Sequence, residues 1–119
     1  MRVNEFKKFV YEKFGIVFPK NIVFEEKKEG IRAFSKSLMS IDIKGRRGIL
    51  VYTNKPTHSF ARTFGHLATK NRINISEEEA RKIIKNKKIK MKNRVIGEYY
   101  IAFFNARPVG VAFGYNNRS

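Results

Sequence analysis

The closing stretch "GEYYIAFFNARPVGVAFGY", residues 97 to 115, constrains the fold more than any other part of the chain. Tyr99 to Phe104 is a short apolar run rich in aromatic residues, which predicts a strand. "NAR" supplies a turn, and Val109 to Tyr115 is predicted to return beside it. In the returning strand Val109, Val111, Phe113 and Tyr115 lie on one face, and Gly110, Ala112 and Gly114 on the other. A strand face of small residues lets another backbone approach closely, or lets the strand bend sharply as barrels require.

The preceding segments supply the partners for such a hairpin. "NEFKKFVYEKFG" predicts a helix with Asn4 as its cap, Phe6, Phe9, Val10 and Phe14 as one apolar stripe, and Gly15 as its stop. "NIVFEE" (21–26) and "GIRAFSKSL" (30–38) read as strands joined by the charged turn "KKEG", although the alternation of the second breaks at Ser35. Ile49 to Tyr52 is an apolar strand opened by Gly45 and Gly48 and closed by Pro56. "THSFARTFGHLA" (57–68) reads as a short helix starting at Thr57, and "RINI" (72–75) as a brief strand. In "SEEEARKIIKN", Ser76 and Glu79 form a capping box, the glutamates sit at the positive end of the helix dipole, and Ala80, Ile83 and Ile84 are expected to face the core. Short strands, short helices and a closing hairpin predict an α+β fold, a small mixed β barrel flanked by helices, in one domain spanning 1–119.

Charge restricts the partners. Lys and Arg number 26 against 10 Asp and Glu, a formal net charge of +16. Residues 43–94 hold fifteen of the bases and three of the acids, so twelve of the sixteen net charges fall there. A local excess of this kind points to a binding surface for a polyanion, nucleic acid before membrane, since no helix pairs a basic face with a long apolar one. Within that segment "KNKKIKMKNR" (85–94) carries six bases and no acid. Its strict alternation, Ile89 and Met91 against Lys88, Lys90 and Lys92, predicts an extended segment with lysines to solvent; an edge strand kept soluble by lysines accounts for the same pattern.

Several chemistries are excluded or unsupported. The chain has no Cys, so disulfides, thiolate metal sites and Cys nucleophiles are ruled out. No P-loop, GxGxxG or GxSxG is present, no carboxylate pair has catalytic spacing, and no metal or cofactor is expected. His58 and His66 lack the third ligand a metal site needs. As an acid and base they define one alternative, a small RNA-processing enzyme; a surface or RNA-contacting role is the plainer reading. The opening "MRVNEFKKFVYEKFG" does not resemble a signal peptide, and no apolar run reaches the roughly 20 residues of a membrane span, so a soluble cytoplasmic monomer with no membrane partner is expected.

The order of motifs "GRRGILVYTNKPTHSFARTFGHLATKNRINISEEEARKIIKNKKI" and then "GEYYIAFFNARPVGVAFG" is similar to that of a known family. It resembles the PUA-like RNA-binding domain at the C-terminus of NOP/Sun-type RNA cytosine-C5 methyltransferases, and the short archaeal proteins made of that domain alone. The resemblance covers residues 43–115, and 1–42 match more loosely. It implies a pseudobarrel flanked by helices that binds structured RNA, tRNA or rRNA, in RNA modification or ribosome biogenesis. No methyltransferase domain is matched, so no catalysis is implied; a methyltransferase would be a partner in trans. Docking on a methyltransferase or a ribosomal protein is a further alternative.

The residues expected to carry RNA are Arg46, Arg47, Lys55, Arg62, Lys70 and Arg72 around the "KPT" helix, with Lys88, Lys90 and Lys92 extending them. The helix start with the Thr57 hydroxyl is a phosphate candidate. Tyr115 is the best candidate to stack on a base, ahead of Tyr52; Tyr99 and Tyr100 are better placed for the core.

Overall fold

Phe6, Val10 and Phe14 recur at helical spacing and are fully buried in helix α1 (Val3–Phe14). The computed structural model describes residues 1–38, 48–85, 89–91 and 98–114, with Leu38 and 89–91 described by backbone alone. Gly15 ends α1 in the left-handed region, at φ 64°, and its N–H returns to the Tyr11 carbonyl. The cap at the other end differs from expectation. Arg2, not Asn4, is the N-cap residue, and its side chain makes no capping bond. A carboxylate from a distant strand does that work instead: Glu26 Oε1 accepts the Val3 N–H at 2.9 Å. Only the tertiary fold brings this acceptor to the helix.

Strands β1 (Ile22–Lys27) and β2 (Gly30–Ser35) form the expected hairpin, paired from Ile22↔Ser35 to Lys27↔Gly30. The second strand stops where its alternation breaks, and Lys36–Leu38 turn into a 3-10 helix. Strand β3 (Ile49–Tyr52) adds antiparallel to β2, giving a sheet ordered β1-β2-β3. Gly48, at φ 67°, enters it so close to β2 that a Cβ would lie 2.0 Å from the Ala33 carbonyl oxygen. Arg32, 7% exposed, is held by Glu29 at 3.1 Å and donates to the Gly48 carbonyl at 3.2 Å.

Helix α2 (His58–Phe64) begins at Thr57 as predicted, with the Thr57 hydroxyl accepting the Phe60 N–H at 3.0 Å. It ends at Phe64, short of Ala68, and Gly65–Leu67 tighten into a 3-10 turn. The remaining elements are β4 (Arg72–Asn74), α3 (Glu77–Ile84), β5 (Ile89–Met91), β6 (Tyr99–Phe104) and β7 (Arg107–Gly114). Both hydrogen bonds of the Ser76–Glu79 capping box are present, at 3.1 and 2.9 Å. Ile84 contradicts its expected core role, being 77% exposed while Ile83 is 1% exposed. Neighbouring helix positions differ by about 100°, so one narrow stripe cannot hold both.

The second sheet is ordered β4-β6-β7-β5, with β4 parallel to β6, β5 parallel to β7, and β6 antiparallel to β7. Among the described residues no strand pairing joins the two sheets, so the fold is mixed α+β, as expected, and no closed barrel forms among them. The hairpin turn is shorter than "NAR": Asn105 and Ala106 both take positive φ, and pairing resumes at Phe104↔Arg107.

This hairpin divides the interior. Ile101, Phe103 and Val111 face a core shared with α1, α2 and the first sheet. Tyr100, Ala102 and Ala112 face a second core with Ile73, Ile75, Ala80 and Ile83. The face of small residues permits the close approach. A Cβ on Gly110 would lie 2.6 Å from His58 Nδ1 and 2.7 Å from Ile83 Cγ2. No helix among the described residues is long and apolar enough to cross a membrane.

Two predictions follow from this packing. Phe6 is fully buried, and its ring lies 5.8–6.0 Å from those of Phe18, Phe24, Tyr52 and Phe60. Phe6→Ala should cost about 3–5 kcal/mol in urea unfolding. Tyr11→Ala, on the 59% exposed Tyr11, should stay within about 0.5 kcal/mol. The Tyr52 phenol is pushed above its ordinary value, first by burial and second by Tyr99. A raised folded pKa favours the protonated native state. The associated stability is therefore complete below about pH 10 and is lost as pH rises from there through the folded value. Thermal unfolding followed across that alkaline window should fall more steeply for the native chain than for Tyr52→Phe.

Candidate nucleic-acid interface

Between Asp42 and Glu77 the chain carries no carboxylate. From Arg62 to Asn74 this stretch runs through the end of α2, the 3-10 turn and edge strand β4. Its exposed residues are Arg62, Thr63, His66, Thr69, Lys70, Arg72 and Asn74, all basic or neutral polar. Its apolar residues Phe64, Ala68 and Ile73 are buried, and that burial turns the polar ones outward.

Register places these elements on one side of the second sheet. Arg72 pairs with Ile101 and Asn74 with Phe103, so both share the face of Ile101 and Phe103. The 3-10 turn covers that same face, where Gly65 is so close that a Cβ would meet Ile101 Cγ2 at 2.8 Å. Gly65 has ordinary helical φ, so here close approach, not conformation, demands glycine. Arg62 and His66 lie on the helical layer, and Arg72 and Asn74 on the strand beside it.

Arg72 is fixed in place. Its guanidinium carbon stands 4.3 Å from the centre of the Phe103 ring, and Nη1 donates to the Ala68 carbonyl at 3.4 Å. Lys70 lies in a turn tied to α1: the Thr69 and Lys70 N–H groups both donate to the Phe14 carbonyl, at 2.8 and 3.3 Å. Asn71, at φ 55°, holds Glu98 Oε2 at 3.4 Å and the Tyr99 carbonyl at 3.0 Å. Glu98 also pairs with Lys13 at 3.0 Å. Lys13 therefore borders the basic turn, a placement no local sequence pattern signals, because the link runs through three separate elements.

The described carboxylates lie elsewhere or are engaged. Glu12 pairs with Lys8, Glu25 with Lys27, Glu29 with Arg32 and Glu77 with Arg81. Arg62, Lys70 and Arg72 make no ion pair among the described residues. Exposed pairs such as Lys8–Glu12 contribute at most about 1 kcal/mol, whereas uncompensated cations on one side leave an outward positive field.

The other expected positions are not gathered so closely. Lys55 is half-buried in the loop before α2, whereas Arg62 lies in the last turn of that helix. The Thr57 hydroxyl donates its one proton to the Leu50 carbonyl at 2.6 Å while capping Phe60, so it has no proton to offer a phosphate. Strand β5, with Lys90 in register beside Phe113, occupies the sheet edge opposite β4, roughly 14 Å away across three strand spacings. Of the alternating segment, Ile89–Met91 form an edge strand. Arg46, Arg47, Lys88, Lys92 and Tyr115 lie outside the described residues, and the Lys90 side chain is likewise not described. Tyr100 is buried, and Tyr99 packs on Phe113 at 5.0 Å, in line with core roles for both. Tyr52 is half-buried, with its hydroxyl donating to the Asn54 carbonyl at 3.2 Å.

The two histidines differ in kind. His58 Nδ1 accepts the Val111 N–H at 2.9 Å and so extends the pairing of β7 beyond β5. This bond requires an unprotonated Nδ1. His66 is exposed on the 3-10 turn, within the basic face. No protein-family model matches this chain, and no curated protein matches it by sequence.

Proposed function

We propose that this chain is a non-catalytic RNA-binding protein, a PUA-like domain that recognises structured RNA, tRNA or rRNA, through the face built by α2, the 3-10 turn and β4. One observation carries the reading: every exposed residue from Arg62 to Asn74 is basic or neutral polar, and Arg62, Lys70 and Arg72 make no ion pair among the described residues. Such a face suits phosphate, because each Lys or Arg that neutralises one releases condensed counterions. The mixed parallel and antiparallel sheet with helices packed on it is the coarse α+β architecture; the family resemblance rests on motif order alone, and the pseudobarrel belongs to this proposal. In this reading the protein acts in the cytoplasm as a monomer. It serves RNA modification or ribosome biogenesis, with a methyltransferase in trans as the partner that would use the bound RNA.

Binding of purified, folded tRNA and of a folded rRNA fragment, measured across a salt series, tests the proposal. With Arg62, Lys70 and Arg72 all engaged, log K against log salt should fall with a slope of about −3 or steeper. Arg62→Gln and Lys70→Gln should each make the slope shallower by about one, while Lys8→Gln on α1 should not. A native slope shallower than about −2 contradicts the proposal.

A further inference from the structure

We propose that Arg72 is a stacking platform for an unpaired base, so that the RNA recognised presents a looped-out or bulged nucleotide to the edge of β4; this deepens the RNA-binding reading and rests on it. The arginines held in place among the described residues fall into two kinds. Arg32 and Arg81 are held by carboxylates, at 3.1 and 3.0 Å, and their charge is compensated. Arg72 is held by an aromatic ring and a backbone carbonyl, which fix the guanidinium and leave its charge whole. A free arginine side chain gives up rotamer entropy when immobilised; part of that cost is already met here before any ligand arrives.

The geometry favours a base over a phosphate alone. The guanidinium carbon stands over the ring of Phe103, which is 4% exposed and belongs to the core. Arg72 itself remains exposed to solvent. A flat cation backed by an aromatic ring offers its outer side to another flat group, and unpaired bases stack on guanidinium planes. Asn74 is exposed on the same strand face, about 6.7 Å further along, where its amide can donate to or accept from a base edge. Lys70 precedes them in the turn and meets the adjoining phosphate. Duplex RNA keeps its bases stacked inside and does not offer this contact.

The test uses two synthetic RNAs of equal length and charge, a hairpin with a single-stranded loop carrying 2-aminopurine and a fully paired duplex. Each is titrated with the native chain, Arg72→Lys and Lys70→Gln. Arg72→Lys keeps the charge and removes the plane. It should weaken hairpin binding about tenfold and abolish the 2-aminopurine quenching, with duplex affinity within about twofold and the salt slope unchanged. Lys70→Gln should weaken both RNAs and lower both slopes by about one. An unchanged melting temperature for each variant secures the comparison. Equal losses on hairpin and duplex for Arg72→Lys, or no loss on either, overturn the platform while RNA binding stands. No binding of either RNA by the native chain overturns the RNA reading itself.

Discussion

The β6–β7 hairpin carries core residues on both faces, and the helices and the first sheet pack around it. Ile101, Phe103 and Val111 turn to one side and Tyr100, Ala102 and Ala112 to the other. Both sides must be covered, at about 25 cal/mol for each Å² of apolar surface removed from water. Helices α1 and α2 with the first sheet cover one side, and α3 the other. Gly110 marks where His58 of α2 and Ile83 of α3 converge on the strand, a contact that any side chain there would obstruct. Because α2 and the 3-10 turn are drawn down onto the hairpin by Phe60, Ala61 and Phe64, Arg62, Thr63 and His66 are left exposed.

The basic face is a consequence of that layering. From Arg62 to Asn74 the chain crosses the surface once as helix, once as tight turn and once as edge strand, with Phe64, Ala68 and Ile73 buried and Arg62, His66, Lys70 and Arg72 exposed. The acids are spent on local work: Glu79 closes a helix cap, Glu29 compensates the buried Arg32, and Glu26 caps a helix from across the fold. What remains outward on this side is Arg62, Lys70 and Arg72. Charge that folding does not need is the physical mark of a surface kept for something else.

The parts legible in the sequence were those encoded locally. The Ser76 capping box, the Thr57 start, the Gly15 stop and the apolar run of β6 each state their structure within a few residues, and the structure agrees. Positions set by distant contacts were not legible. Asn4 looked like a cap because Glu26 is not its neighbour in sequence, and Ile84 looked like core because the width of the buried stripe on α3 depends on what the helix lies against. The candidate site divides in the same way. The excess of cations was readable, but their distribution was not: sheet order alone puts β5 and β4 on opposite edges, and only the Ala68 carbonyl and the Phe103 ring single out Arg72 from other exposed arginines.

The central claim is that one face, from Arg62 through Asn74, meets RNA. Backbone amide NMR shifts of the isotopically labelled chain, followed during titration with folded tRNA, test it most directly. The largest shifts should fall on residues 62–74 and on the neighbouring Lys13 and Glu98, with β1 and β2 unmoved. Shifts concentrated on the first sheet, or spread evenly over the surface, contradict it.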